Sequence, residues 1–124
     1  MRPRTATPLA ALALALASGC GGAGEPVRTE ATHFTITLDD YLIRPQELTV
    51  PAGQRLRVTI VNRGRLGHTL RIRRGGGADR FQQKTLAPGE RSTRRLRLEP
   101  GTYTMYCAIA NHEELGMHGT LEVG

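Results

Sequence analysis

The 124 residues include no tryptophan, three tyrosines and two phenylalanines. So few aromatics leave little on which bases could stack, which argues against a single-stranded nucleic acid partner despite a formal charge of +6. Lysine is scarcer still: Lys84 is alone, and every other cationic side chain is an arginine. Long apolar runs are missing. The longest, Pro8 to Ala17, is about half of the roughly 20 residues that a membrane-spanning helix needs. Two cysteines are too few for a disulfide-stapled scaffold. No long window shows a helical period, and there is no internal repeat.

The first residues read as processing sequence. Arg2 and Arg4 precede the apolar stretch Pro8 to Ala17, as in a secretory signal, assigned to residues 1–19. Ala17-Ser18-Gly19-Cys20 resembles a bacterial lipobox, in which the cysteine is lipidated and becomes the mature N-terminus, although Leu16 sits one place earlier than the usual Leu. The alternative is cleavage after Ala15-Leu16-Ala17, ahead of Ser18. Residues 20–31, with Gly21-Gly22-Ala23-Gly24, read as a flexible tether. The expectation is an exported domain anchored through lipid on Cys20 to the cell membrane and facing the periplasm or cell exterior; the alternative is a soluble periplasmic or secreted protein. With Cys20 in that role, Cys107 has no disulfide partner, and a free thiol in an oxidising compartment calls for something to hold it.

Removing Arg2 and Arg4 leaves 15 basic against 11 acidic side chains. Many of the arginines alternate with apolar residues, as on a solvated sheet face. A docking surface for an acidic partner or for anionic headgroups is the other reading.

Residues 32–124 read as one all-β domain. Phe34, Ile36 and Leu38 alternate, as do Leu56, Val58 and Ile60 within Gln54 to Asn62. Further strands are expected at Glu47 to Val50, Thr69 to Arg73, Arg91 to Leu98, Thr102 to Cys107 and Gly119 to Val123, with turns at Pro51-Ala52-Gly53, Ala87-Pro88-Gly89 and Glu99-Pro100-Gly101. Phe81 to Lys84 and Asn111 to Leu115 read as single helical turns. About eight short strands predict an antiparallel, Greek-key β-sandwich with one modest core.

The most chemical stretch follows the penultimate strand. Cys107, His112 and Met117 are evenly spaced with four residues in each gap, and His68 lies upstream after a strand-like run. A thiolate, two imidazoles and a thioether form the donor set of a soft, electron-transferring copper site. The loop after Cys107 must fold back to bring three donors to one metal, and His68 must come from elsewhere in the sandwich, which ties metal affinity to folding. His33 and His118 read as a strand residue and a solvent-facing neighbour of Met117. Tyr103 and Tyr106 read as strand packing.

Pro100-Gly101-Thr102-Tyr103-Thr104-Met105-Tyr106-Cys107, His112, Gly116-Met117-His118-Gly119-Thr120-Leu121 and the upstream Gly67-His68 resemble the cupredoxins, the type 1 blue copper family of plastocyanin and azurin. The ligand-loop spacing is most similar to rusticyanin and auracyanin. The resemblance covers about residues 32–124 and implies one type 1 copper per chain, ligated by His68, Cys107, His112 and Met117, with the Gly67 carbonyl as a weak axial contact. It also implies a monomeric one-electron carrier, not an enzyme, that meets redox protein partners at the exposed edge of His112, within an apolar patch of Leu66, Ile109, Ala110 and Leu115. Two positions depart from the family pattern. Ala110-Asn111 replaces the Pro-Gly that many relatives carry before the loop His. Thr69 follows the upstream His where Asn or Ser commonly fastens the two ligand loops. Copper storage or delivery is the alternative function, and a metal-free binding module is a third. Copper oxidases and nitrite reductases need further His-rich sites, and a two-copper centre needs a second nearby Cys.

Overall fold

The computed structural model describes residues 24–124, so the signal segment, Cys20 and the start of the tether lie outside the described residues. Ten strands follow: β1 (Val27–Arg28), β2 (His33–Asp39), β3 (Leu42–Arg44), β4 (Glu47–Val50), β5 (Leu56–Asn62), β6 (Arg71–Arg73), β7 (Asp79–Gln82), β8 (Arg91–Leu96), β9 (Gly101–Tyr106) and β10 (His118–Val123). They form two sheets, ordered β1-β4-β10-β9-β6-β7 and β3-β2-β5-β8.

The alternation dictates which face of each strand is covered. On β5, Leu56, Val58 and Ile60 are at most 1% exposed while Arg57 between them faces water. Ile36 and Leu38 of β2, Val50 of β4, Ile72 of β6, Met105 of β9 and Leu121 of β10 join them in one core shared by both sheets. Burying a side chain of this size contributes about 1.5–3 kcal/mol. Among the described residues the core lies within residues 34–123, so the domain carries its own hydrophobic interior.

The sheets are mixed rather than antiparallel throughout. β1 and β10 both run parallel to β4, and β2 runs parallel to β5. Period-two alternation is the same in either pairing, so it marks the strands without fixing their directions. Phe81 lies in a strand rather than a helical turn, because β7 pairs antiparallel with β6 and sets Phe81 opposite Ile72. The short β3 has too few residues to display a period, and β1 begins the sheet within the stretch read as tether.

This topology gathers the chemistry at one end. β2 ends at Asp39, β5 at Asn62 and β9 at Tyr106, and β10 starts at His118 opposite Tyr106. His68 makes an isolated antiparallel bridge with Leu86 at the same end.

Candidate metal centre

The loop from Cys107 to Met117 is closed by its own backbone. The Cys107 N–H donates to the Met117 carbonyl at 3.1 Å, and the Met117 N–H donates to the His112 carbonyl at 2.9 Å. Inside the loop, His112 N–H bonds the Ile109 carbonyl, Leu115 N–H that of Asn111 and Gly116 N–H that of Glu113. The Asn111–Leu115 turn is therefore present. Ala110 adopts φ 43°, a conformation costly for a residue with a Cβ. Gly116, at φ 124°, is required: a Cβ there would stand 2.8 Å from the Tyr41 carbonyl oxygen. An ion pair between Glu113 and Arg73 fastens the loop to β6 and holds the Arg73 guanidinium above its ordinary range; Arg73 also lies 4.1 Å over the Tyr106 ring. Burial pushes the Tyr106 phenol up, and its hydroxyl donates to Asp79 at 2.5 Å.

His68 is completely buried and held from outside the cluster. Its Nε2 lies 2.8 Å from Asp40 Oδ1. Asp40 is itself fixed by the Arg65 N–H, 3.0 Å from each carboxylate oxygen, and by the Leu66 N–H at 3.2 Å. Those bonds, that from Arg65 foremost and the His68 contact next, hold the Asp40 carboxyl below the usual carboxylate range. An ionised carboxylate only accepts, so Nε2 carries a proton, and in the neutral imidazole Nδ1 then presents a lone pair. Gly64 makes the pair possible: a Cβ there would come within 2.3 Å of Asp40 Oδ1 and 2.7 Å of His68 Nε2.

Asn62 secures the same loop. It is completely buried, donates through Nδ2 to the Leu66 and Leu86 carbonyls at 2.8 Å each, and accepts the Gly64 N–H at 2.9 Å. Thr69, at the position where Asn or Ser commonly fastens the ligand loops, donates its hydroxyl to the Gln83 carbonyl. Asp40 and Asn62 fasten the His68 loop itself. Asn62 had a sequence signal, since it continues the inward series Leu56, Val58, Ile60 with a polar side chain that needs partners in the core.

One donor atom each from His68, Cys107 and His112 lie within 4.8 Å of one another, and all three residues are buried. Cys107 Sγ is 3.6 Å from His112 Nδ1, and the two imidazole rings are 5.2 Å apart at 60°. Cys107 is a free thiol. His68 Nδ1 has no hydrogen-bond partner although it is buried, a costly state for a polar atom unless an acceptor of its lone pair binds there. Met117, fully buried, is placed beside these donors by its backbone bonds to Cys107 and His112. Two imidazole nitrogens, a thiol and a neighbouring thioether suit a soft metal ion such as copper. Gly67 adjoins His68 in the loop between β5, which ends at Asn62, and β6, which starts at Arg71.

His33 and His118 stand apart. His33 Nε2 meets the Thr59 hydroxyl at 2.9 Å on the outer face of the smaller sheet, and His118 is exposed on β10. At the surface over the cluster, Tyr41 meets His112 edge-on, with ring centroids 5.4 Å apart. Tyr41, Leu66 and Leu115 are among the exposed large apolar side chains. Cys20 lies outside the described residues.

A family model, the cupredoxin-like domain, matches residues 8–123. No curated protein matches the chain. Among solved structures, dithionite-reduced auracyanin from Roseiflexus castenholzii is 25% identical, with a TM-score of 0.70 over 77% of this chain and 99% of that one. Auracyanin B is 20% identical, with a TM-score of 0.69 over 83% and 93% of the two chains. Rusticyanin from Thiobacillus ferrooxidans is 18% identical, with a TM-score of 0.66 over 83% and 84%; these last two are likenesses of fold. With a family match that spans nearly the whole sequence and a sandwich that gathers His68, Cys107 and His112 at one end, the chain belongs to the cupredoxin-like family.

Proposed function

We propose that this protein is a one-electron carrier whose single type 1 copper is held by His68 Nδ1, Cys107 Sγ, His112 Nδ1 and the Met117 thioether. The Gly67 carbonyl, next to His68 in the chain, would add a weak oxygen donor. One observation carries it: a buried imidazole nitrogen with a bare lone pair faces a free thiol and a second imidazole. Bound there, copper supplies a Cu(I)/Cu(II) couple compatible with thiolate, imidazole and thioether donors. The chain's own contribution is a fixed donor frame. Asp40 orients His68, Asn62 holds its loop, and the backbone bonds of the 107–117 loop hold the other three, so the donors need move little when the charge changes. Rusticyanin, one of the structural likenesses, is a copper protein.

His112 retains 7% of its surface, whereas His68, Cys107 and Met117 are at most 1% exposed. His112 is thus the donor nearest to a partner, and the apolar rim of Tyr41, Leu66 and Leu115, 41–53% exposed, gives redox proteins a surface to rest on. The same enclosure favours a carrier over copper storage or delivery, which needs donors that a recipient can reach, and over an enzyme, which needs an approach for substrate. Potentiometric titration of the copper-loaded protein should show one reversible, one-electron step; an irreversible response, or copper lost to a chelator on reduction, would contradict the carrier reading. Met117→Leu should keep the colour and raise the potential, because a weak donor is lost.

The carrier operates, in this proposal, at the outer face of a bacterial membrane, tethered by lipid on Cys20. Because Val27–Arg28 pairs into the sheet, the tether that starts at Cys20 is residues 20–26, which reach about 25 Å at most and keep the domain close to the membrane surface. Mass spectrometry of the mature N-terminus should find acyl chains on Cys20. A chain beginning at Ser18 would refute the anchor.

A further inference from the structure

The outer face of the smaller sheet carries a block of like charge. In the register of β5 and β8, Arg57 stands directly opposite Arg95, with His33 on the other side of Arg57. Arg55 and Arg97 continue the same two strands by one alternation, and Arg55, Arg95 and Arg97 line one shallow hollow with Leu96. All four guanidinium groups are exposed. None makes an ion pair, although Arg28, Arg44, Arg71, Arg73 and Arg74 each have a carboxylate partner among the described residues. The nearest carboxylate in sequence, Glu99, is engaged by Arg74. Like charges directly opposite on adjacent strands destabilise the pairing. An anionic counterpart would relieve that repulsion.

We propose that this face binds the phosphate headgroups of an anionic membrane. Three features select that occupant. Guanidinium groups present planar, paired donors that match phosphate oxygens, and this chain uses arginine in all but one of its cationic positions. The face is the outside of a sheet with one shallow, open hollow between the arginines, which offers headgroup phosphates several guanidinium groups at once. It also lies away from the donor cluster: Arg57 is five residues, about 17 Å, along β5 from Asn62, which holds the His68 loop. A membrane seated on Arg57 and Arg95 leaves the Tyr41, Leu66 and Leu115 rim free for redox partners. The inference takes its setting from the proposed membrane location, yet it concerns a contact made without the lipid on Cys20.

The test uses residues 24–124, which contain the core that unites the two sheets and lack Cys20, so a failure of the anchor reading does not affect it. Co-sedimentation with vesicles of equimolar phosphatidylglycerol and phosphatidylcholine should show binding that weakens as salt is added, and none to phosphatidylcholine alone. Removing one guanidinium should weaken binding about 5-fold, so Arg57→Gln/Arg95→Gln should lose roughly 30-fold. Arg28→Gln/Arg80→Gln, of equal charge but on the other sheet, should lose far less. The first double variant should also melt no lower than the wild type, because it removes a repulsion. Absence of vesicle binding at low salt, or equal losses in the two double variants, would overturn the proposal. Binding to polyglutamate without binding to the vesicles would replace the membrane with an acidic protein.

Discussion

His68 has one ring nitrogen committed to Asp40 and the other bare and buried, and much of the site's tuning follows from that division. A carboxylate behind a metal-bound imidazole fixes its tautomer and raises its basicity, which favours the higher oxidation state of the metal. Asp40→Asn should therefore raise the reduction potential and weaken copper binding by about 10–100-fold, read by potentiometry and competition with a chelator. An unchanged potential would leave Asp40 a structural residue only. The same carboxyl gives a pH dependence to the metal-free domain. Its folded-state value is depressed, so its contribution to stability is complete above the ordinary value of about 4 and is lost as the pH falls through the folded value. Urea midpoints should fall more steeply below that pH for the wild type than for Asp40→Asn. The candidate donors could be read from the sequence because thiol, imidazole and thioether chemistry belongs to the residue itself. Asp40 could not. An aspartate at a strand end is an ordinary turn residue, and the partner that gives it meaning lies 28 positions away.

Two elements position the donors, and they differ in how far the sequence exposed them. The 107–117 loop is local: it folds on itself through short-range backbone bonds, and its even spacing shows in the bare sequence. The loop bearing His68 is held instead by Asn62, whose three bonds reach the Leu66 and Leu86 carbonyls and the Gly64 N–H. Asn62→Ala leaves these groups short of partners and should cost about 1–3 kcal/mol, measured by chemical denaturation of the metal-free protein. Thr69→Ala should leave copper binding nearly intact, since its hydroxyl serves the Gln83 carbonyl rather than a ligand loop. A large loss of copper in that variant would contradict this division of labour. Strands as regular as β2 and β5 were plain from alternation. Their parallel pairing was not, because direction depends on which strands the chain returns to and leaves no trace in a period of two.

At the scale of the whole molecule, one core unites two mixed sheets, with the donor cluster and apolar rim at one end and the unpaired arginine block further along the smaller sheet. The sandwich class was within reach of the sequence because it needs only short alternating strands and frequent turns. The separation of the arginine block from the donors needs the register of β5 and β8, which no local pattern supplies. The central claim is that this frame builds a type 1 copper site around Cys107. Cu(II) added to the purified domain, followed by visible and EPR spectroscopy beside Cys107→Ser, tests it most directly. The wild type should turn intensely blue with narrow copper hyperfine splitting, and the variant should stay bleached while keeping its fold by circular dichroism. A colourless wild-type product, or an ordinary square-planar Cu(II) signal, would contradict it.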